Sequence, residues 1–167
     1  MKKLILTVIV FNFCLYATAQ VAIAKSSVDG SGILDFPRGT TNGILLPIVE
    51  TLPTASAAQN GTFLMDKNDL KLKMCENATW VNLSDAGSIS GVTFNTSAEV
   101  GNGVIIGDQT TTASGILVLE STNKALILPH VASPEINVKS PHPGMLVYDS
   151  TSKSVAVFDG LKWNYWK

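Results

Sequence analysis

The sequence contains little cysteine and little charge, and each shortage excludes a class of protein. Only two cysteines are present, Cys14 and Cys75. Cys14 falls in an N-terminal segment with the features of a signal peptide, so the mature chain would keep one cysteine and could form no internal disulfide. Charged residues make up 15% of the chain, against roughly 25% in an average soluble domain. The formal net charge of -1, without any run of like charge, argues against a nucleic-acid partner.

Residues with catalytic or metal-binding chemistry are equally scarce. The two histidines, His130 and His142, have no cysteine, histidine or acid at metal-ligand spacing. Nucleophile-elbow and phosphate-loop patterns are absent. The acidic stretch 66–69 lacks the glycine and the distal glutamate of a calcium loop, so a hairpin turn is the better interpretation. The sequence therefore predicts a protein that is not an enzyme and that has no catalytic residues, cofactor or metal.

The first 19 residues have the pattern of a signal peptide. Lys2 and Lys3 precede an apolar run over residues 4–16, and Ala17-Thr18-Ala19 forms a small-residue cleavage site. The mature chain would begin at Gln20. The later sequence has no apolar run long enough to span a bilayer, so we expect no membrane span after cleavage.

The remaining chain repeats itself with a shift of about 83 residues, as internal-repeat analysis shows. Residues 31–34 (Ser-Gly-Ile-Leu) match residues 114–117, and Gly61 to Trp80 matches Gly144 to Trp163. This predicts repeat unit 1 at residues 20–83, a linker rich in Gly, Ser and Asn at residues 84–103, and repeat unit 2 at residues 104–167.

Each unit has the pattern of short β-strands. Each unit has three short apolar runs. The third run is stopped by a proline, Pro47 or Pro129, which has no N–H to donate to a sheet. A hairpin follows, and then a turn after which a tryptophan, Trp80 or Trp163, is expected to pack across the hairpin. The fold class predicted is mainly β, with two tandem copies of a small unit that contains a hairpin. Residues 54–59 suggest one helical turn, whereas their proline-rich counterpart around Pro134 suggests an extended segment.

Two further expectations concern side chains of the first hairpin. Strict alternation over residues 70–74 predicts one buried face and one solvent face, with the lysines on the solvent side. Cys75 aligns with Phe158 and is therefore expected to be a small buried hydrophobic residue. Pairing between chains or a reactive thiol are the alternatives for Cys75.

The small size of each unit points to an oligomer. About 60 residues supply little core for independent stability, and neither disulfides nor a metal are available. Packing of the two units against each other, or association with further copies, would supply the missing burial. We expect a homo-oligomer, with an intertwined trimer as the favoured form.

The ordered motifs resemble a repeat common in secreted proteins of Bacteroidota. The motifs are residues 42–47 (Asn-Gly-Ile-Leu-Leu-Pro), residues 121–129, residues 144–149 (Gly-Met-Leu-Val-Tyr-Asp) and residues 158–163. Similar repeats occur near the ends of phage tail-fibre-like proteins. The resemblance implies a structural or adhesive module of the bacterial cell surface, commonly trimeric, without catalytic residues. The signal peptide predicts export through the inner membrane, to the periplasm or the cell surface. Unit 1 departs from the pattern at residues 75–77.

A carbohydrate-binding module is the alternative function. Its platform would consist of exposed aromatic side chains at Trp80, Trp163, Tyr165 and Trp166. Partners would then be glycans, or other surface proteins for an adhesin. Residues 149–151 (Asp-Ser-Thr) also fit the O-glycosylation pattern of Bacteroidota, which is a further hypothesis.

Overall fold

The computed structural model describes residues 20–94, 96–97, 101 and 103–167. The predicted signal peptide, residues 1–19, lies outside these residues, as does part of the predicted linker. The described residues form fourteen short strands, a 3-10 turn at Ala55–Ala57 and a one-turn helix, α1, at Pro134–Asn137. The strands are β1 Val21–Ala22, β2 Gly32–Asp35, β3 Ile44–Leu45, β4 Ile48–Val49, β5 Phe63–Asp66, β6 Lys71–Glu76, β7 Thr79–Asn82, β8 Val104–Ile106, β9 Leu117–Leu119, β10 Ala125–Leu126, β11 His130–Val131, β12 Met145–Asp149, β13 Ser154–Phe158 and β14 Trp163–Trp166. The prediction of a mainly β fold is confirmed.

Two hairpin sheets have the same construction. In the first, β4, β5, β6 and β7 lie in that order, and in the second, β11, β12, β13 and β14 do. In both sheets the first pair is parallel and the next two are antiparallel. The tryptophans predicted to follow the hairpins, Trp80 and Trp163, thus lie on a third antiparallel strand of each sheet.

The two hairpin turns close in the same way. The Leu70 N–H donates to the Asp66 carbonyl, and the Lys153 N–H donates to the Asp149 carbonyl. Leu70 and Lys153 both adopt a left-handed backbone, with φ of 60° and 57°. Side chains at such positions are strained, so each turn must be held by other contacts. The aspartate that opens each turn supplies them by accepting backbone N–H bonds.

A shared hydrophobic core joins the two hairpin sheets. Met65 and Leu72 of the first sheet are fully buried against Leu146 and Val157 of the second. Trp166 packs against the same cluster, and its indole Nε1 donates to the Leu83 carbonyl at 3.1 Å. Burial between sheets gives each small unit core that it could not form alone.

Strands also cross between the units. β3 pairs antiparallel with β12, and β10 pairs parallel with β2. β1 lies on the other side of β2, so β2 is the centre of a three-stranded sheet. β8 and β9 form a separate parallel pair. Residues of the predicted linker take part as well, because Gly87 and Ser88 donate backbone bonds to Leu70 and Asp159.

Two local predictions were wrong. The segment after Val131 is helical at α1 instead of extended, because Pro134 occupies the first helical position, where a missing N–H costs nothing. Lys73 is buried, at 8% exposure, although alternation placed it on the solvent face. Its ammonium reaches Asp66 at 2.8 Å and Asp69 at 2.7 Å, and this double ion pair allows the burial. By contrast, Cys75 is buried as predicted.

Candidate functional site

Several exposed apolar side chains lie on or beside the short strands outside the hairpins. They belong to β8 and β9, to the residue before β9, and to β3 and β10: Val104, Leu117, Ile116, Leu45 and Leu126. Scattered apolar residues are normal on a surface. Val104, Ile116 and Leu117 lie together on or beside the paired strands β8 and β9, whereas Leu45 and Leu126 lie on strands of two other sheets. Grouped exposure of this kind, on β8 and β9, indicates an interaction face. We call these five residues the apolar strand set.

Elsewhere, two turns of unit 2 are organised by buried aspartates. The buried Asp149 accepts the N–H groups of Thr151, Ser152 and Ser133 at 2.9, 3.1 and 2.9 Å. Burial raises the pKa of Asp149, but the hydrogen bonds from Ser152, Thr151 and Ser133 outweigh it and leave the pKa below its ordinary value. The ionised Asp149 carboxylate thus stabilises the turn that follows it and holds the backbone at Ser133.

The next turn uses a second buried aspartate. Asp159 accepts the N–H groups of Leu161 and Lys162, both at 2.8 Å, and the side-chain amide of Asn164 at 2.7 Å. These bonds fix the entry into β14. They thereby set the position of Trp163, whose ring lies 5.5 Å from that of Phe158.

A shallow groove of about 750 Å³ lies beside β14. Its walls include Trp163, Tyr165, Phe158 and Leu161, with Glu135 of α1 at the side. The Tyr165 hydroxyl donates to Glu135 at 2.5 Å. Burial and this bond raise the pKa of Tyr165. The groove therefore has aromatic side chains along one wall, and its one carboxylate from α1, Glu135, is already hydrogen-bonded to Tyr165.

The four aromatic residues suggested for a platform do not meet in one place. Trp163 and Tyr165 line the groove. Trp166 is held by Leu83 within the shared core, and Trp80 donates to the Pro53 carbonyl at 3.1 Å in the other hairpin sheet. A sugar could stack on at most the first two.

The other residues with reactive chemistry are structural in their contacts. The Cys75 thiol donates to the Ala58 carbonyl at 3.1 Å. His130 packs on the Tyr148 ring at 4.9 Å, and burial together with Arg38 lowers the pKa of His130. Within residues 20–94 and 103–167, acids, histidines and cysteines do not gather in a group that could hold a metal ion. In the same part of the chain, helices of the length and apolarity needed to cross a membrane are absent.

Sequence reasoning did not identify the apolar strand set as a surface. It expected the short apolar strands to be buried between units or between copies, but it could not say which of them, because their composition is the same in both units. Buried and exposed strands differ only in the folded structure: β2 has a neighbouring strand at both edges, whereas, among the residues that the structure describes, β9 has one at a single edge.

Comparison with known proteins gives one match. A family model described as a phage tail like trimerisation region matches residues 105–167, which is unit 2 from Ile105 onward. No curated protein and no solved structure matches the chain. The matched segment contains β9, β10 and the second hairpin sheet, and so includes three of the five residues of the apolar strand set.

Proposed function

We propose that this chain is a non-enzymatic structural protein of the tail-fibre-like kind that works as a homo-oligomer, with three copies as the favoured state. The apolar strand set carries the proposal, because Val104, Ile116 and Leu117 expose apolar side chains together on or beside the paired strands β8 and β9, where a second copy could cover them. The match of residues 105–167 to a trimerisation region supports it independently. Support for the absence of catalysis comes from that same structural family and from the lack of catalytic motifs in the sequence.

Sedimentation equilibrium of residues 20–167 over a hundredfold concentration range tests the oligomer. We expect a mass of three chains that persists on dilution. A mass of one chain throughout would overturn the proposal, since the apolar strand set would then be a permanent solvent surface.

We also propose that the protein is exported and acts in an extracellular setting, on the bacterial cell surface or in the periplasm. The support is the sequence of residues 1–19, with its basic start, apolar run and Ala-Thr-Ala end. N-terminal sequencing of the protein from its native cells should begin at Gln20. Protease treatment of intact cells separates the two locations, because only a surface protein is then degraded.

Carbohydrate binding is a second candidate, now confined to the groove beside β14. The neighbouring Trp163 and Tyr165 favour it, because aromatic faces stack on sugars and the polar groups around them can bond hydroxyls. A glycan array with the wild type and a Trp163→Ala variant tests it. Binding that is lost in the variant would support a sugar site in the groove, and an array with no bound glycan would rule that site out.

O-glycosylation at residues 149–151 is a separate hypothesis, and the intact mass of the native protein tests it.

A further inference from the structure

Equivalent strands of the two units have different surroundings. In unit 1, the outer edge of β2 is covered by β10: the Ile127 N–H donates to the Leu34 carbonyl at 2.9 Å. With β1 on its other edge and Gly107 beside Ile33, Ile33 and Leu34 of β2 are 2% and 1% exposed.

In unit 2, the counterpart strand has only one neighbour among the described residues. β9 pairs with β8 alone. Ile116 and Leu117, which correspond to Ile33 and Leu34, are 68% and 45% exposed. An open strand edge with apolar side chains is a template for another strand, and native proteins rarely leave one uncovered.

Glycine packing shows what is missing at this edge. A Cβ on Gly32 would lie 2.7 Å from Cδ1 of Ile127, so the β10 side chain sits directly on that glycine. A Cβ on the corresponding Gly115 would meet nothing closer than Val118 at 3.4 Å. The space that Ile127 fills in unit 1 is thus empty at unit 2.

The strand equivalent to β10 is β3, and β3 has the correct free edge. Leu46 donates its N–H to the Gly144 carbonyl at 3.0 Å, towards β12. Successive N–H groups of a strand point to opposite edges, so the N–H of Leu45 points away from β12. Leu45 corresponds to Ile127, and its side chain is 54% exposed.

We propose that the free edge of β9 in one copy of the chain pairs in parallel with β3 of a second copy. The Leu45 N–H of the second copy donates to the Leu117 carbonyl, and the Leu45 side chain covers Gly115. Within the described residues of one chain β3 pairs with β12 and β9 pairs with β8, so a β3 that pairs with β9 is that of another molecule. This pairing rests on the proposed oligomeric function and specifies its interface.

The pairing is heterologous, because it uses β9 of one copy and β3 of the other. Each bound copy therefore presents a further free β9 or β3, so the contact either closes into a ring or continues as a fibre. A closed ring of three fits the trimerisation region that matches unit 2.

Disulfide trapping tests the register. Leu126 of β10 lies opposite Leu34 of β2, so the equivalent pairing between copies places Ile44 opposite Leu117. A variant with Ile44→Cys and Leu117→Cys, in a Cys75→Ala background, should form covalent products of two and three chains on mild oxidation, and a reductant should release them. The matched control combines Ile44→Cys with Val118→Cys. Because neighbouring residues of a strand point to opposite faces of the sheet, this pair should give no such products.

The outcomes separate the pairing from the wider proposal. Reducible products from the Leu117 pair and not from the Val118 pair support the pairing. A chain that sediments as a trimer without these products overturns the pairing and leaves the proposed function standing. A single-chain mass without products overturns both.

A second variant tests the same edge without new cysteines. Gly115→Leu fits the open space in the isolated chain but occupies the place of Leu45, so the variant should sediment as single folded chains. Thr112→Leu adds the same side chain nearby and should leave the oligomer intact. An unchanged oligomer in Gly115→Leu would contradict the pairing.

Discussion

The indole Nε1 of Trp166 donates to the backbone carbonyl of Leu83 at 3.1 Å, and so ties the last strand of unit 2 to the end of unit 1. The ring packs at the same time on the core that both hairpin sheets share. One residue thus combines a hydrogen bond with apolar burial at the junction. The two units are joined as one folded body by such contacts and by the pairing of β3 with β12.

Trp166→Phe should lower the free energy of unfolding by about 1 kcal/mol, because the ring contacts are kept in part while the bond to Leu83 is lost. Tyr165→Phe is the matched control, since it removes an exposed hydroxyl bond to Glu135 and should change stability little. Urea unfolding followed by circular dichroism measures both. Equal losses in the two variants would contradict the role given to Trp166.

Lys73→Met should destabilise the protein by about 3 kcal/mol, because it leaves the buried Asp66 carboxylate without its cation. Burial lowers the pKa of Lys73, but the hydrogen bonds to Asp66 and Asp69 raise it by more. The pKa therefore lies above its ordinary value, and the side chain stays charged in the wild type. Lys71→Met, on the same strand but less buried, is the control. Thermal unfolding that ranks Lys71→Met as the more harmful change would refute the buried ion pair.

Stability should fall in acid. Asp66 and Asp149 both have a folded-state pKa below the ordinary value of 3.8. A carboxyl with a lowered folded-state pKa stabilises the fold above 3.8, and this stabilisation is lost as the pH falls through the folded-state value. Unfolding midpoints should therefore be level near neutral pH and decline below about pH 4.

Asp149→Asn separates the Asp149 contribution. The variant should be less stable at neutral pH by about 1–3 kcal/mol, because an amide cannot accept all three N–H bonds. It should also show a shallower decline in acid than the wild type. A decline of unchanged slope would mean that other carboxyls produce the acid effect.

The sequence predicted the elements that depend on local chemistry. Alternating apolar runs located the hairpin strands, and the aspartates at residues 66 and 149 located their turns. Cys75 was placed correctly from its alignment with Phe158. Each of these features is decided by a few neighbouring residues.

The features that were missed depend on distant residues. Alternation gave Lys73 to the solvent because periodicity cannot show that Asp66 and Asp69 would surround its ammonium. The open edge of β9 was equally hidden, since the sequence of Ile116 and Leu117 matches that of the buried Ile33 and Leu34. Tertiary neighbours distinguish them, among them β10 on the edge of β2 and Gly107 against Ile33.

Charge on the apolar strand set should weaken the oligomer. Leu45→Glu would bury a carboxylate against Gly115 and the apolar side chains of β9, so association should be lost while the separate chain stays folded. Leu161→Glu changes a leucine of the groove wall that is exposed as well but lies outside the apolar strand set, and it should leave association unchanged.

Light scattering after size exclusion, run on the wild type beside these two variants, tests the account most directly. We predict three chains for the wild type and for Leu161→Glu, and single chains for Leu45→Glu. A wild-type mass of one chain at every concentration would contradict the claim that the exposed strands are an interface between copies.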